Sequence, residues 1–289
     1  MLFELTDKKV LYDYYKKIKG DIPYLFDVDF KNWSKSMFED TDCDGNSLFL
    51  ELKTLISMEN NAVNGFIQFG IPAFVHDNNG EKNTTIKAGI IRNIYFEKED
   101  ISMGEALIES ALLYFQENQI QKQYSFYHYF GMTCNAGHGK LHCSHFYIED
   151  LLLKYNFIKE HENVYYSRLI SERDIFESEN ITLQYSDTNE GVCEFSILFK
   201  DTISDKKIGE GCYVYLPQGK ICYLKWIYVD DMYKSRGYAS AALMQLFSDL
   251  RKQHIYRIDT DTADSNLAAQ GLYIKTGFTD MGRTRSYLK

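Results

Sequence analysis

The chain is 289 residues long with 45% hydrophobic and 25% charged residues, so it can bury a sizeable core and has room for about two domains. A formal net charge of −9 argues against nucleic acid or an anionic membrane as the main partner and suits a cationic or amine-bearing one. Six cysteines without framework spacing, an N-terminus without an apolar h-region and the lack of a membrane-length apolar run together predict reduced thiols in a cytoplasmic protein.

Met1–Leu5 reads as a strand, and Thr6 or Asp7 can cap a helix whose apolar positions are Val10, Leu11, Tyr14 and Ile18. A short helix at Phe30–Phe38 follows the Pro23 turn. Strands are predicted at Ser47–Ile56, Asn64–Phe74 and Ala88–Phe96, then a helix at Met103–Gln116 with Ala106, Leu107, Ala111, Leu112 and Phe115 on one face. Tyr124–Thr133 reads as a strand, Tyr147–Tyr155 as a helix and Asn163–Ile170 as a strand.

Two ligand-like patterns fall in this part. Asp40-Thr-Asp42-Cys-Asp44-Gly45, with Glu51 at the twelfth place, fits a calcium-loop expression. Ser47 stands where an apolar residue is usual, and Leu48–Leu52 alternates like a strand where a helix is needed, so the reading is an acidic helix-to-strand turn. Cys134, His138, His142, Cys143 and His145 offer zinc-type atoms, but no C-x-x-C pair is present and Gly137 and Gly139 mark a loop. That run is read as a polar loop, and no metal is expected.

Ser171–Asn180 is polar and reads as a linker. Ile181–Tyr185, Cys193–Lys200, Ile208–Leu216 and Ile221–Val229 read as strands, joined by turns around Asp201–Lys206 and at Pro217-Gln-Gly219. The chain then runs from Trp226-Ile-Tyr-Val229 through Asp230-Asp-Met-Tyr-Lys-Ser-Arg-Gly-Tyr-Ala239 into a helix with Ala242, Leu243, Leu246, Phe247 and Leu250 on its apolar face. A strand, a small-residue turn and a helix N-terminus together make an anion cradle, because the first helical N–H groups have no partner within the helix. Gly237 and Ala239 let the backbone come close to a ligand. A strand at Ile255–Thr262 leads to Asp264-Ser-Asn266, Ala269, Leu272, Tyr273, Gly277 and Phe278.

These residues resemble the GNAT superfamily of acyl-CoA-dependent N-acyltransferases. Lys234-Ser-Arg-Gly-Tyr-Ala239 follows the phosphate-loop pattern Gln/Arg-x-x-Gly-x-Gly/Ala, with Lys234 as a departure that keeps a donor and loses the fork. Residues 266–278 match Asn-x-x-Ala-x-x-Leu-Tyr-x-x-x-Gly-Phe at every named position. The first half repeats the element order of the superfamily, so the chain resembles tandem GNAT proteins. Its motifs are degraded: Ile101-Ser-Met-Gly-Glu-Ala106 lacks the first donor, Leu152 stands where the second copy has Tyr273, and His145 where it has Asn266.

The resemblance implies an α/β (α+β) fold with two GNAT-type domains, each a mixed, mostly antiparallel sheet flanked by helices. Residues 1–170 would be a complete but degenerate copy, 171–180 a linker, and 181–289 a shortened copy with intact CoA motifs and no room for its own two acceptor-wall helices. It implies acetyl-CoA as acyl donor, with pyrophosphate on the amides of Lys234, Ser235, Arg236, Gly237, Tyr238, Ala239 and Ser240. Pantetheine would lie along Ile227, Tyr228 and Val229 and reach Asn266, with Tyr273 as general acid to the leaving sulfur. The general base stays open among Tyr223, Lys225, Glu210, Asp259 and Asp261. A small-molecule or peptide amine acceptor and a monomer or homodimer are expected. The rival is a non-catalytic acyl-CoA-binding sensor; a transferase using charged tRNA fits the negative charge poorly.

Overall fold

A computed structural model describes residues 1–42, 45–77, 79–187, 194–216 and 220–289. In chain order these form β1 (Leu2–Glu4), α1 (Lys8–Ile18), α2 (Phe30–Phe38), β2 (Phe49–Glu59), β3 (Ala62–Pro72), β4 (Val75–His76), β5 (Lys82–Asn83) and β6 (Ala88–Phe96). Next come α3 (Ile101–Glu117), β7 (Lys122–Ser125), β8 (Leu141–His142), α4 (Phe146–Lys154) and β9 (Ile158–Leu169). The remainder is β10 (Ile181–Asp187), β11 (Glu194–Asp201), β12 (Lys207–Leu216), β13 (Ile221–Val229), α5 (Tyr238–Lys252), β14 (Arg257–Ala263), α6 (Leu267–Lys275) and β15 (Thr279–Leu288). Among the described residues no helix is long and apolar enough to cross a membrane.

The expected helices form where cap residues start them. Asp7 accepts from the Lys9 amide at 2.8 Å and opens α1, and Asp29 accepts from the Asn32 amide at 2.9 Å and opens α2. The expected strand at Tyr124–Thr133 is cut short. Phe126 takes a left-handed φ of 51°, which ends β7 at Ser125, and the chain continues in 3-10 turns. The final strand, β15, was not foreseen. The turn at Pro217-Gln-Gly219 lies outside the described residues, as do Cys43 and Asp44 of the acidic turn.

Two compact units result, and they are not two consecutive stretches. The first is Met1–Glu162 with Arg283–Lys289, the second Asn163–Gly282. The sequence reading put the division at 170–181. The structural division falls inside β9 and again inside β15, because each of these strands begins in one unit and finishes in the other.

In the first unit the sheet order is β1-β2-β3-β6-β7-β15, with β8 also on β15 and β4-β5 a separate hairpin. In the second it is β9-β14-β13-β12-β11-β10. Most pairs are antiparallel; β6 with β7 and β13 with β14 are parallel, each bridged by a crossover helix, α3 or α5. The core of the second unit includes Val164, Tyr166, Phe199, Leu224, Leu246, Phe247, Ile258, Tyr273 and Phe278. Residues 188–193, outside the described residues, are all that separates β10 from β11, which leaves no place for two helices after the first strand of this copy.

Candidate active site

The site of the second unit begins with a break in its sheet. β13 pairs in parallel with β14 from Ile221/Arg257 to Leu224/Thr260, and there the pairing stops. At that point β13 also carries a bulge against β12: Cys212 faces Trp226 and Tyr213 faces Leu224, leaving Lys225 as the extra residue. A bulge bends and twists its strand, here carrying Lys225–Val229 away from β14. Ile227, Tyr228 and Val229 keep Gly211, Glu210 and Gly209 as partners on their β12 side. On the opposite side their backbone is a strand edge able to pair with an extended amide chain.

The strand edge runs into the loop. Asp231–Tyr233 form a 3-10 turn, Ser235 takes φ 61° and Gly237 φ 85°, and α5 starts at Tyr238. No side chain caps α5. The Ala241 amide bonds the Gly237 carbonyl at 3.0 Å, so the amides of Tyr238, Ala239 and Ser240 precede the first intrahelical bond and point out of the helix end. Lys234 is turned to Asp231 at 2.6 Å, with its ammonium 5.3 Å from the centre of the Tyr228 ring. Ser235 and Arg236 are exposed, and Arg236 makes no ion pair among the described residues.

Asn266 is the cap of α6, its Oδ1 accepting from the Ala269 amide at 3.2 Å. Tyr273, one to two turns on, is 3% exposed, with its ring 5.4 Å from those of Tyr166 and Phe278. The helix stops in a Schellman turn: Phe278 N–H bonds the Tyr273 carbonyl at 3.0 Å and Gly277 N–H the Ile274 carbonyl at 3.1 Å, with Gly277 at φ 89°. This turn fixes Tyr273 against β14. Thr260 donates its single hydroxyl hydrogen to the Leu224 carbonyl at 2.9 Å, so the Tyr273 hydroxyl, 3.5 Å from Thr260 Oγ1, keeps its own hydrogen to donate. Burial pushes this phenol above the ordinary value of 10.0.

Leu224 and Thr260 are the last paired residues, so Tyr273 stands directly behind the point where the strands part. On the other face, residues directly opposite one another put Tyr165, Asp261, Asp259 and Tyr223 together. Asp259 is fully buried and ion-paired with Arg257 at 2.5 Å; it also accepts from Tyr165 at 2.8 Å. Burial nonetheless pushes its carboxyl up. Asp261 accepts from the Tyr223 hydroxyl at 2.7 Å and from Asn163 Nδ2 at 2.6 Å. Glu210 pairs with Lys207 at 2.9 Å, and Lys225 with Glu194 at 3.1 Å. Cys212, which donates to Glu194, has its thiol pushed up to about 12 by burial and that carboxylate, so it is inert as a nucleophile.

Compared with family descriptions, residues 155–278 match the acetyltransferase (GNAT) family. The whole chain is similar in fold to a tandem GNAT protein from the clavulanic acid biosynthesis pathway, with a TM-score of 0.65 at 8% identity, covering 100% of this chain and 98% of that one. It is similar also to a GCN5-related N-acetyltransferase from Sphaerobacter thermophilus, with a TM-score of 0.63 at 10% identity, covering 100% and 95%. Identities this low carry the fold alone, and that fold is the tandem GNAT fold. No curated protein matches the sequence. The GNAT match spans nearly the same residues as the second compact unit, Asn163–Gly282.

The two units repeat one construction. β6 pairs with β7 from Ala88/Lys122 to Ile91/Ser125, as β13 does with β14, and its bulge against β3 leaves Arg92 as the extra residue where the second copy has Lys225. α4 also ends in a Schellman turn, with Asn156 at φ 66° in the place of Gly277 and Leu152 in that of Tyr273. The chemistry differs. Arg92 is buried, donating to the carbonyls of Phe130, Ser36, Met37 and Gly131 and to Asp40 Oδ2 at 2.9 Å, so its guanidinium ties β6 to α2 and to the turn after β7. Asp100 caps α3, accepting from the Met103 amide at 3.0 Å. Gly104, which the sequence reading placed in a degraded phosphate loop, lies inside α3. An added Cβ there would come within 2.3 Å of the Phe96 ring, so close packing explains this glycine.

The two ligand-like patterns of this copy are otherwise engaged. Asp40 serves Arg92 and the Thr133 amide, and Glu51 accepts from the Tyr114 hydroxyl at 2.6 Å. His138 packs 4.2 Å from the Tyr24 ring, while His142 and His145 each have Nδ1 within 3.0 Å of Ser144 Oγ. The sequence reading missed the bulges at Arg92 and Lys225, which have no composition signature. Arg92 itself was detectable as one charge inside the apolar strand Ala88–Phe96.

Proposed function

We propose that this protein transfers an acetyl group from acetyl-CoA to a primary amine, using the cleft where β13 leaves β14. The observation that carries this reading is that β13, past the bulge where it leaves β14, presents a strand edge that leads into an uncapped helix end, with a buried tyrosine hydroxyl beside the last paired residues. The residues fit the donor: the amides of Tyr238, Ala239 and Ser240 with the exposed Arg236 suit a pyrophosphate. The Ile227–Val229 edge suits the pantetheine amides. Lys234, tied to Asp231, contributes through its backbone rather than its side chain. Acetyl-CoA when bound supplies an activated thioester carbonyl and a thiolate leaving group.

The edge of β13 beyond the bulge offers a backbone N–H to the carbonyl oxygen as charge develops there. Tyr273 gives its proton to the departing sulfur from behind the strands. Asp261, held by Tyr223 and Asn163 on the opposite face, accepts the proton that the amine loses as the C–N bond forms, directly or through one water. Asp259 does not take this role, since its carboxylate is already committed to Arg257. The two protons then return through solvent, leaving both groups as they began.

The deep burial of Tyr273 is compatible with a second reading, a GNAT fold that binds acyl-CoA without turnover. Release of free CoA thiol across a panel of small amines, amino acids and peptides separates the two. Acceptor-dependent thiol release supports the enzyme; saturable acetyl-CoA binding with no release on any amine supports the sensor.

A further inference from the structure

We propose that His128, Glu160 and His161 form a site for one divalent transition-metal ion of the zinc class. The three belong to the first unit and bring their ligand atoms within 4.8 Å of one another. Glu160 and His161 are successive residues of β9, and His128 comes from the 3-10 turn after β7. Successive strand residues leave on opposite faces, so their meeting at His128 is a feature of this backbone that sequence spacing does not reveal. The two imidazole rings cross at 4.2 Å and 66°.

The carboxylate supplies the main argument. Glu160 Oε2 is buried without a hydrogen-bond partner, an arrangement that costs free energy and that a cation relieves. The Tyr129 ring, 4.0 Å from His128, limits the rotation of that imidazole.

Two imidazoles and one carboxylate suit zinc or its neighbours and disfavour calcium and magnesium, which take all-oxygen shells. Around a tetrahedral ion at about 2.1 Å, donors stand roughly 3.4 Å apart, so side chains whose ligand atoms lie within 4.8 Å close by at most about 1.4 Å on binding. His161 is exposed and free to make that movement. One coordination position stays open to water. The site ties the start of β9 to the turn after β7, so the ion holds together two segments of the first unit that are distant in sequence. This inference is independent of acyl transfer.

The test uses the full chain stripped with EDTA and titrated with zinc chloride by calorimetry, in a buffer that does not bind metal. The expected result is one saturable site of micromolar or tighter affinity and a melting temperature raised by zinc. His161→Ala and Glu160→Gln should each weaken binding at least about tenfold and leave the metal-free melting temperature unchanged. His142→Ala and Cys143→Ser should change nothing. Cobalt(II) provides a second readout, with a ligand-field spectrum present in the wild type and lost in Glu160→Gln. Absence of saturable binding, or equal affinity in the His161 and Glu160 variants, overturns the assignment.

Discussion

Asp100 and Gly237 hold the same place at the N-termini of α3 and α5, and they set those two helix ends to opposite states. Asp100 presents its carboxylate to the Met103 amide at 3.0 Å, which puts a negative charge where a phosphate would sit. Gly237 has no side chain to offer, and its φ of 85° turns the chain so that the next amides face outward. One copy is therefore self-capped and the other is left for a ligand. Arg92 and Lys225 repeat the contrast at the bulges. Arg92 ties β6 to α2 and to the turn after β7 with bonds to carbonyls, whereas Lys225 lies on the surface beside Glu194.

Tyr273→Phe should lower kcat by about 10²-fold while acetyl-CoA affinity and melting temperature stay nearly unchanged. The variant keeps the ring against Tyr166 and Phe278 and removes only a hydroxyl whose hydrogen-bond partner among the described residues, Thr260, is 3.5 Å away. The loss should shrink with a donor whose leaving thiol is more acidic. An unaltered kcat, under conditions where chemistry limits turnover, would reduce Tyr273 to a packing residue.

The pH profile follows from the same phenol. Its pKa is raised, so its protonated form, the one that donates, persists to higher pH than that of a free tyrosine at 10.0. The acceptor term of kcat/KM should therefore rise with pH as the amine loses its proton and then stay level past that value. A descending limb centred below it in the wild type, absent from Tyr273→Phe, would contradict the raised pKa.

Residues 171–289 expressed alone should be insoluble or should unfold without cooperativity. β14 pairs on one flank with β13 and on the other with Asn163–Leu169 of β9, so this truncation bares an inner strand. It also removes Val164, Tyr166 and Ile170 from the core. Residues 163–289 should be more soluble and melt more sharply. Chemical denaturation of the two pieces checks this; equal stability would show that β9 adds nothing.

Most helices and strands were legible because short caps and strong periodicity announce them, as Asp7 does for the helix at Lys8–Ile18. Phe278 and Gly277 were readable for the same reason: a Schellman turn needs a positive φ and an apolar residue after it. β15 was not. Its Thr284 and Ser286 are fully buried, which alternation of apolar residues cannot signal. β7 was overdrawn because Tyr124–Thr133 is rich in β-prone aromatics, while the left-handed Phe126 that ends it has no sequence mark. Of the candidate bases, Asp259 and Asp261 share a face by period two. The Arg257 pairing and full burial of Asp259 distinguish them, and both depend on the side-chain geometry of the strand rather than on its pattern.

Isothermal calorimetry of acetyl-CoA into the wild type and Gly237→Glu tests the central claim most directly, because it asks whether the uncapped end of α5 is the donor site. The Gly237 position has no atom within 4 Å of an added Cβ, so a glutamate there meets no steric clash, although it strains a positive φ. Gly237→Ala, carrying the same strain without the charge, is the control. One site per chain in the wild type, retained in Gly237→Ala and abolished in Gly237→Glu at similar melting temperatures, is the predicted result. Two equal sites, or unchanged affinity in Gly237→Glu, would contradict it.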